Sequence, residues 1–248
     1  MLDEAWAAIA GTEVPPPLEL TGAPVEPDVL PSTLPVFPAA LACVGTALRA
    51  AALLGGAPRV TLDPGQLAAA VTSEGWLRIN GESLGGGFAP LSRFWPTADG
   101  WIRTHANYPW HRAALFLELG LAAGSGPDEV AAVLAQLPGE QVKQRLIDAG
   151  GVAAVVRSPE QWSAHPQGAW LATQPLVADT RIDGARPRPT PGTATPERPL
   201  AGTRVVDLTT VIAGPVATRF LAAAGAEVLR LDSPHRPELP IHRYDGLP

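Results

Sequence analysis

Five consecutive residues have the types and the position that a phosphate-binding turn requires. They are Thr210, Val211, Ile212, Ala213 and Gly214. They follow an apolar run at 203–208 and precede a helical pattern at 215–224. Unpaired N–H groups and the dipole at such a helix N-terminus attract anions, so the sequence predicts a phosphate-bearing ligand here. The turn holds one glycine and lacks the fingerprint G-x-G-x-x-G, which argues against an ordinary nicotinamide site.

Two strands and one helix must position this turn. The run at 203–208 predicts a short buried strand whose apolar residues are interrupted only by Asp207. The helix is predicted to begin at Pro215, where the missing N–H costs nothing, and to stop at Gly225. Residues 227–232 predict a second strand that points apolar side chains into a core, namely Val228, Leu229 and Leu231. This order predicts a parallel βαβ unit with a right-handed crossover.

Two further groups of residues could carry chemistry. The run GESLG at 81–85 matches the nucleophile motif G-x-S-x-G, but the glycines and proline of 86–90 exclude the helix that must follow. We therefore predict a glycine-rich hairpin turn, and Asp99 and His105 are too loosely placed to complete a triad. His105 and His111 lack the spacing of a zinc motif, so no metal site is predicted. They are expected as polar residues on a loop between a strand and a helix; a border of a ligand cleft is the alternative.

Composition limits the classes of partner. The chain is 46% hydrophobic and 17% charged, with a formal net charge of −6. It can bury a core, and its negative charge argues against nucleic acid or an anionic membrane as the main partner. The single cysteine, Cys43, excludes an intramolecular disulfide, fits a cytoplasmic protein and is predicted to be a small core residue. The apolar run 39–56 contains Arg49 and predicts a packed helix rather than a membrane span.

The βαβ sequence also carries a family resemblance. The run VVDLTTVIAGPVATRFLAAAGAEVLRLDSP, residues 205–234, resembles the N-terminal signature of the class III CoA-transferases, the CaiB/BaiF group that includes the α-methylacyl-CoA racemases. The matching positions are Asp207, Leu208, Ala213, Gly214, Pro215, Leu221, Gly225, Ala226, Val228 and the Asp232–Pro234 end. A weaker resemblance to the C-terminal part of the family covers about 35–180, so the two parts stand in an unusual order.

The resemblance implies a ligand and a chemistry. It places 210–214 against the adenosine end of coenzyme A, with an acyl-CoA and a carboxylic acid as substrates and without a metal. In the family, an aspartate attacks the thioester to form a mixed anhydride. That aspartate lies in a GYD-like segment before an Ala-rich helix, and the segment at this place here, 10–34, contains Asp28 without such neighbours. No catalytic residue is therefore assigned.

The predicted fold class is α/β, with a Rossmann-like parallel βαβ unit and a smaller α+β domain. The expected domains are a Pro-rich arm at 1–34, a C-terminal-type region at 35–185 with a small domain at about 60–150, a Pro-rich linker at 186–199, and the start of a CoA-binding domain at 200–248. Two parallel strands cannot bury both faces of a sheet, so we expect that the chain is truncated, that residues 35–75 and 150–180 complete the fold, or that a partner does.

Three functions remain open from the sequence. The first is CoA transfer between carboxylic acids by a class III CoA-transferase-like protein without its own catalytic aspartate. The second is a non-catalytic remnant or partner subunit, in a homodimer or with a complementing subunit. The third is isomerisation of the α-methylacyl-CoA racemase type.

Overall fold

The chain forms two compact units that are built from both parallel and antiparallel sheets. A computed structural model describes residues 1–22, 29–83, 87–178, 180, 184, 193–233 and 235. One unit is Gly85–Gln174, and the other joins Met1–Leu84 to Pro175–Pro248. The mixed α/β class is confirmed. Asp28, the first half of the expected linker (186–192) and the last residues, 236–248, lie outside the described residues, and the expected domain boundaries stay predictions.

The first 84 residues contain a small parallel sheet and a hairpin. The elements are α1 (Leu2–Ala10), β1 (Leu18–Leu20), α2 (Val36–Gly55), β2 (Val60–Leu62), α3 (Pro64–Val71), α4 (Ser73–Trp76), β3 (Arg78–Ile79) and β4 (Glu82–Ser83). β1 pairs in parallel with β2, with Leu18 opposite Val60. The expectation of an irregular arm is thus wrong for Leu18–Leu20, because β2 supplies an edge for it to pair with. The sequence also favours a strand at 76–80, and this expectation is wrong for Trp76, which is the last residue of α4.

Helix α2 buries one face and exposes the rest. Its buried residues recur at helical spacing and are Ala42, Gly45, Thr46, Arg49 and Ala52. Cys43 lies one residue away from this face and is exposed, so the prediction of a core cysteine is wrong. Arg49 Nη1 donates to Asp3 Oδ1 of α1 at 3.3 Å. Within the described residues, α2 is the one helix long and apolar enough to cross a membrane, and less than a third of it is buried.

The G-x-S-x-G segment starts as a tight hairpin. β3 and β4 pair antiparallel, with Ile79 opposite Glu82. Asn80 and Gly81 between them have φ of 53° and 83°, the left-handed pair that a type I′ turn requires. A hairpin is therefore present, but its turn is Asn80–Gly81, and the prediction of a turn is wrong for Glu82 and Ser83, which form β4. Leu84 and the glycine after it lie outside the described residues.

The unit Gly85–Gln174 packs helices on an antiparallel sheet. Its elements are β5 (Phe94–Thr97), β6 (Gly100–Thr104), α5 (Pro109–Leu119), α6 (Pro127–Leu134), α7 (Gly139–Asp148), β7 (Ala153–Val155), α8 (Pro159–Ala164) and α9 (Pro166–Leu171). The strand order is β5-β6-β7. The core joins Ile102 of β6 to apolar residues of three helices, among them Leu115, Val130 and Leu146. An α+β arrangement is therefore present in this unit.

The C-terminal part contains the expected βαβ unit. It consists of β8 (Arg204–Asp207), α10 (Ala213–Ala223) and β9 (Glu227–Arg230). β8 and β9 pair in parallel, with Val205 opposite Val228, which confirms the parallel βαβ prediction. Gly225 has φ of 102°, as its predicted role at the helix stop requires. Pro215 is the third residue of α10, not the first as predicted. An N–H at the third position would also lack a partner within the helix, so proline is tolerated there. The wider Rossmann-like assignment stays a prediction.

Candidate functional site

A buried carboxylate ties the end of β8 to the loop and helix that follow. Asp207 is only 3% exposed. Its Oδ1 accepts hydrogen bonds from the N–H and the hydroxyl of Thr209, at 2.8 and 2.6 Å. Its Oδ2 accepts from the Thr218 hydroxyl of α10 at 2.6 Å. The pKa of Asp207 lies below its ordinary value. The largest cause is the hydrogen bond from the Thr209 hydroxyl, followed by those from Thr218 and the Thr209 N–H and by the charge of Arg230.

The two strands bury only some of the apolar residues that the sequence predicted to be in a core. Asp207 and the half-buried Val205 share one face, because side chains alternate along a strand. The other face carries four apolar side chains that are between 52% and 68% exposed: Val206, Leu208, Leu229 and Leu231. The prediction that these strands point their apolar residues into a core is therefore wrong for these four residues, whereas Val205 and Val228 are half-buried. Helix α10 packs against the strands.

The turn itself contains a strained residue. Val211 has φ of 68°, in the left-handed region that a β-branched side chain rarely adopts. Its side chain is 59% exposed, so tight burial of that side chain does not explain the conformation. Strain of this kind persists where the surrounding structure imposes it, and it is concentrated at ligand sites.

A close approach between the loop and the helix fixes the shape of the turn. A Cβ added to Gly214 would overlap both Cβ and Oγ1 of Thr209. Only glycine fits this position while Thr209 stays hydrogen-bonded to Asp207. Asp207, Thr209 and Gly214, called the lock below, therefore together fix the conformation of the turn between them.

The predicted binding residues form one continuous exposed surface. Thr210, Val211 and Ile212 lie in the loop, and Ala213 and Gly214 open α10. The first turn of α10 carries no acidic side chain, and no side chain of the described residues caps it. An anion can thus approach the helix N-terminus. That coenzyme A occupies this surface stays a prediction.

Sequence reasoning missed the residues that position this turn. Asp207 was interpreted as an interruption of an apolar strand, and Thr209 and Thr218 were given no role. A signal was present, because an aspartate followed two residues later by threonine often forms a local side-chain turn. Periodicity alone could not show which face of the strand the helix covers.

The sequence of this region matches a described protein family. Residues 200–242 fit the model of CoA-transferase family III. Residues 200–242, called the family III segment below, are thus similar to CoA-transferase family III. The lock of Asp207, Thr209 and Gly214 and the five residues of the turn all lie inside the family III segment.

The curated relatives that this chain matches are much longer than the chain itself. An acyl-CoA transferase of Gibberella moniliformis is 36% identical over 96 residues, 38% of this chain and 17% of that protein. The alpha subunit of a succinyl-CoA–L-malate CoA-transferase from Chloroflexus aurantiacus is 40% identical over 57 residues, 23% of this chain and 13% of that protein. The chain thus spans less than a fifth of either relative. The solved structure of the hypothetical protein Rv3272 of Mycobacterium tuberculosis superposes on this chain with a TM-score of 0.47 and 21% sequence identity. The superposition covers 68% of this chain and 50% of the Rv3272 chain.

Outside the family III segment, the other sequence candidates have structural partners. The carboxylate of Asp99 accepts from the N–H of Gly139 at 2.8 Å and so caps α7. That N–H and the Thr97 hydroxyl hold the pKa of Asp99 below its ordinary value. His105 and His111 bring their Nδ1 atoms within 3.4 Å, although His111 lies in α5 and not in a loop as predicted. Among the residues that the structure describes, no three His, Cys, Asp or Glu side chains are grouped to hold a metal.

Proposed function

We propose that this chain is a cytoplasmic CoA-transferase family III protein that binds the CoA moiety of an acyl-CoA at residues 210–214. Its proposed activity is CoA transfer between carboxylic acids, together with a partner chain. One observation carries the proposal: an exposed, strained turn at a helix N-terminus, locked by Asp207, lies inside the family III segment. The names of the relatives, an acyl-CoA transferase and a succinyl-CoA–L-malate CoA-transferase subunit, support the same substrate class.

The turn can bind phosphate without a cluster of basic residues. The formal net charge of the chain is −6, so long-range attraction of a CoA polyphosphate is weak. Near the turn, Arg230 pairs with Asp232 at 2.9 Å, and Arg219 reaches the carbonyl oxygen of Ala70 at 3.3 Å. The attraction must then come from the N–H groups and dipole of α10. Backbone recognition of this kind needs no charged side chain at 210–214, and none is present there.

Asp207 is suited to position the turn and not to attack a thioester. It is buried, and both of its oxygens accept hydrogen bonds, Oδ1 from Thr209 and Oδ2 from Thr218. A nucleophilic carboxylate needs an open approach to the substrate carbonyl. The carboxylate of the proposed transfer reaction is therefore expected on the partner.

The second candidate is a non-catalytic subunit that completes a CoA-binding sheet. It is favoured by the apolar sheet face, defined as Val206, Leu208, Leu229 and Leu231, all of which are more than half exposed. An exposed apolar patch of this kind marks a surface for another protein. Helices on the second face of such a parallel sheet would cover these four side chains.

The proposal is tested by calorimetric titration of the full chain with CoA. Ala213→Asp places a carboxylate at the first position of α10, where it favours the helix dipole but repels phosphate. The variant should keep its fold and lose CoA binding at least tenfold. Ala222→Asp is the matched control, since it alters an exposed alanine about 13 Å further along the helix.

Two outcomes separate the candidates. Equal CoA affinity of the Ala213→Asp and Ala222→Asp variants, or no heat with CoA at millimolar concentration, would reject the site. If CoA binds, exchange of label between acyl-CoA and free carboxylic acid in the presence of a partner indicates a transferase. CoA binding without exchange indicates the subunit role, and solvent deuterium at the α-carbon of the acyl group indicates the racemase reaction.

A further inference from the structure

A groove of ≈ 540 Å³ opens within the unit Gly85–Gln174. It lies between the loop before β5, the first half of α5 and the turn that leads into α6. Leu91, Ala106 and Phe116 line it, and its polar side chains are Arg112 and Ser125. Small-molecule sites have this character, with a volume of about 300–1,000 Å³, apolar walls and a few polar groups.

Arg112 differs from the other cations of this unit. Lys143 and Arg157 both pair with Glu140, and Arg145 pairs with Glu118. The two remaining arginines lie over aromatic rings, Arg93 over Trp95 and Arg103 over Phe88 and Phe94. In the described part of the unit, the guanidinium of Arg112 is the one Lys or Arg head group without such a partner. It therefore offers its donors to a ligand.

The surroundings of Arg112 favour an anion. Arg112 lies in the fourth position of α5, whose first turn has no acidic residue, so the helix dipole adds to its positive charge. Two acids, Asp128 and Glu129, directly follow the last of the groove residues in the first turn of α6, where they complement the dipole of that helix. Glu129 Oε2 also accepts from the N–H of Gly126 at 2.8 Å. The Ser125 hydroxyl also faces the groove and makes no hydrogen bond to any described residue.

We propose that this groove binds a monocarboxylate with an apolar chain. The carboxylate accepts hydrogen bonds from Arg112 and Ser125, and the chain lies along Leu91, Ala106 and Phe116. A phosphate ester of the same size fits less well, because one unpaired arginine balances only a single negative charge. The proposal goes beyond the CoA site and is independent of it, since the groove lies outside the family III segment and needs no nucleotide.

The test is titration of the full chain with hexanoate, with the neutral hexanamide as the matched ligand. Backbone NMR shifts should map the binding of hexanoate to 89–91 and 123–127. Hexanoate should bind at least fivefold more tightly than hexanamide, and each methylene added from butyrate to hexanoate should tighten binding about threefold to fourfold. Arg112→Gln should weaken hexanoate about tenfold and leave hexanamide unchanged.

Two variants keep the outcome decisive. Arg145→Gln removes the same charge from an exposed site away from the groove and should leave hexanoate affinity within twofold of the unsubstituted chain. Ala113→Leu fills the groove from an exposed position of α5 and should weaken both ligands. Equal affinity for acid and amide, equal losses for Arg112→Gln and Arg145→Gln, or undiminished binding by Ala113→Leu would each overturn the proposal. Loss of CoA binding by Ala213→Asp with hexanoate binding intact would separate the two sites.

Discussion

Replacing Val211 by glycine tests whether the candidate turn stores strain. A β-branched residue in the left-handed region costs about 1–3 kcal/mol, which glycine would release. Glycine also gives the unfolded chain more freedom, worth about 0.4–1 kcal/mol, and the side chain loses what little burial it has. Because Val211 is 59% exposed, the relief should exceed both losses, and Val211→Gly should stabilise the βαβ unit by about 0.5–1 kcal/mol.

Val216→Gly is the matched control for this change. Val216 is also exposed but lies within α10, where glycine should cost about 0.5–1 kcal/mol. Hydrogen exchange of peptides that cover β8, α10 and β9, measured by mass spectrometry, reports the stability of this unit alone. CoA affinity should fall severalfold in Val211→Gly, because the loop is no longer held in one conformation. If Val211→Gly and Val216→Gly destabilise the unit equally, the turn is unstrained and the argument fails.

Further predictions concern the lock, the sheet face and the cysteine. The pKa of Asp207 is lowered in the folded chain, so the unfolded chain binds a proton at this carboxylate at a higher pH. The free energy of unfolding should therefore be full above about pH 4 and fall as the pH drops further. Asp207→Asn should flatten that part of a plot of the urea midpoint against pH. Gly214→Ala should cost about 1–3 kcal/mol through overlap with Thr209, whereas Gly75→Ala, with open space around it, should be neutral or slightly stabilising in the same denaturation experiment. Lysine at both Val206 and Leu229 should change stability by less than about 0.5 kcal/mol and shift the chain toward monomer in sedimentation velocity; an unchanged sedimentation coefficient would speak against the sheet face as an assembly surface. Exposed Cys43 should react with a thiol reagent in the native state as fast as after unfolding, and strong protection would place it in the core after all.

Element positions in this chain follow from local signals that the sequence displays. Ser158 and Gln161 have the spacing of a capping box, and the Ser158 hydroxyl accepts from the Gln161 N–H at 3.2 Å at the start of α8. Asn80 and Gly81 specify their hairpin turn in the same way. Each of these signals acts within a few residues, so one sequence is enough to detect it.

Burial was predicted less well, because it depends on what covers each face. Cys43 has apolar neighbours on both sides, yet the buried stripe of α2 passes through Ala42 and Thr46 instead. The strand β1 was missed because three residues, Leu18–Leu20, carry too little pattern and pair only with the distant β2. The candidate carboxylate groove was also missed, since it joins Leu91, Arg112 and Ser125 from separate segments.

The orientation of β8 connects the candidate CoA turn to the exposed sheet face. Hydrogen bonds from Thr209 and Thr218 hold Asp207 on the α10 side, so Val206 must point the other way, and the parallel register places Leu229 beside it. If the strand were rotated to bury Val206, Asp207 would face solvent and could no longer hold Thr209 against Gly214. The hydrogen bonds that shape the turn therefore also expose an apolar surface for a partner. A ligand that stabilises the turn should for the same reason strengthen assembly at that face, and a partner bound there should tighten CoA binding by an equal factor.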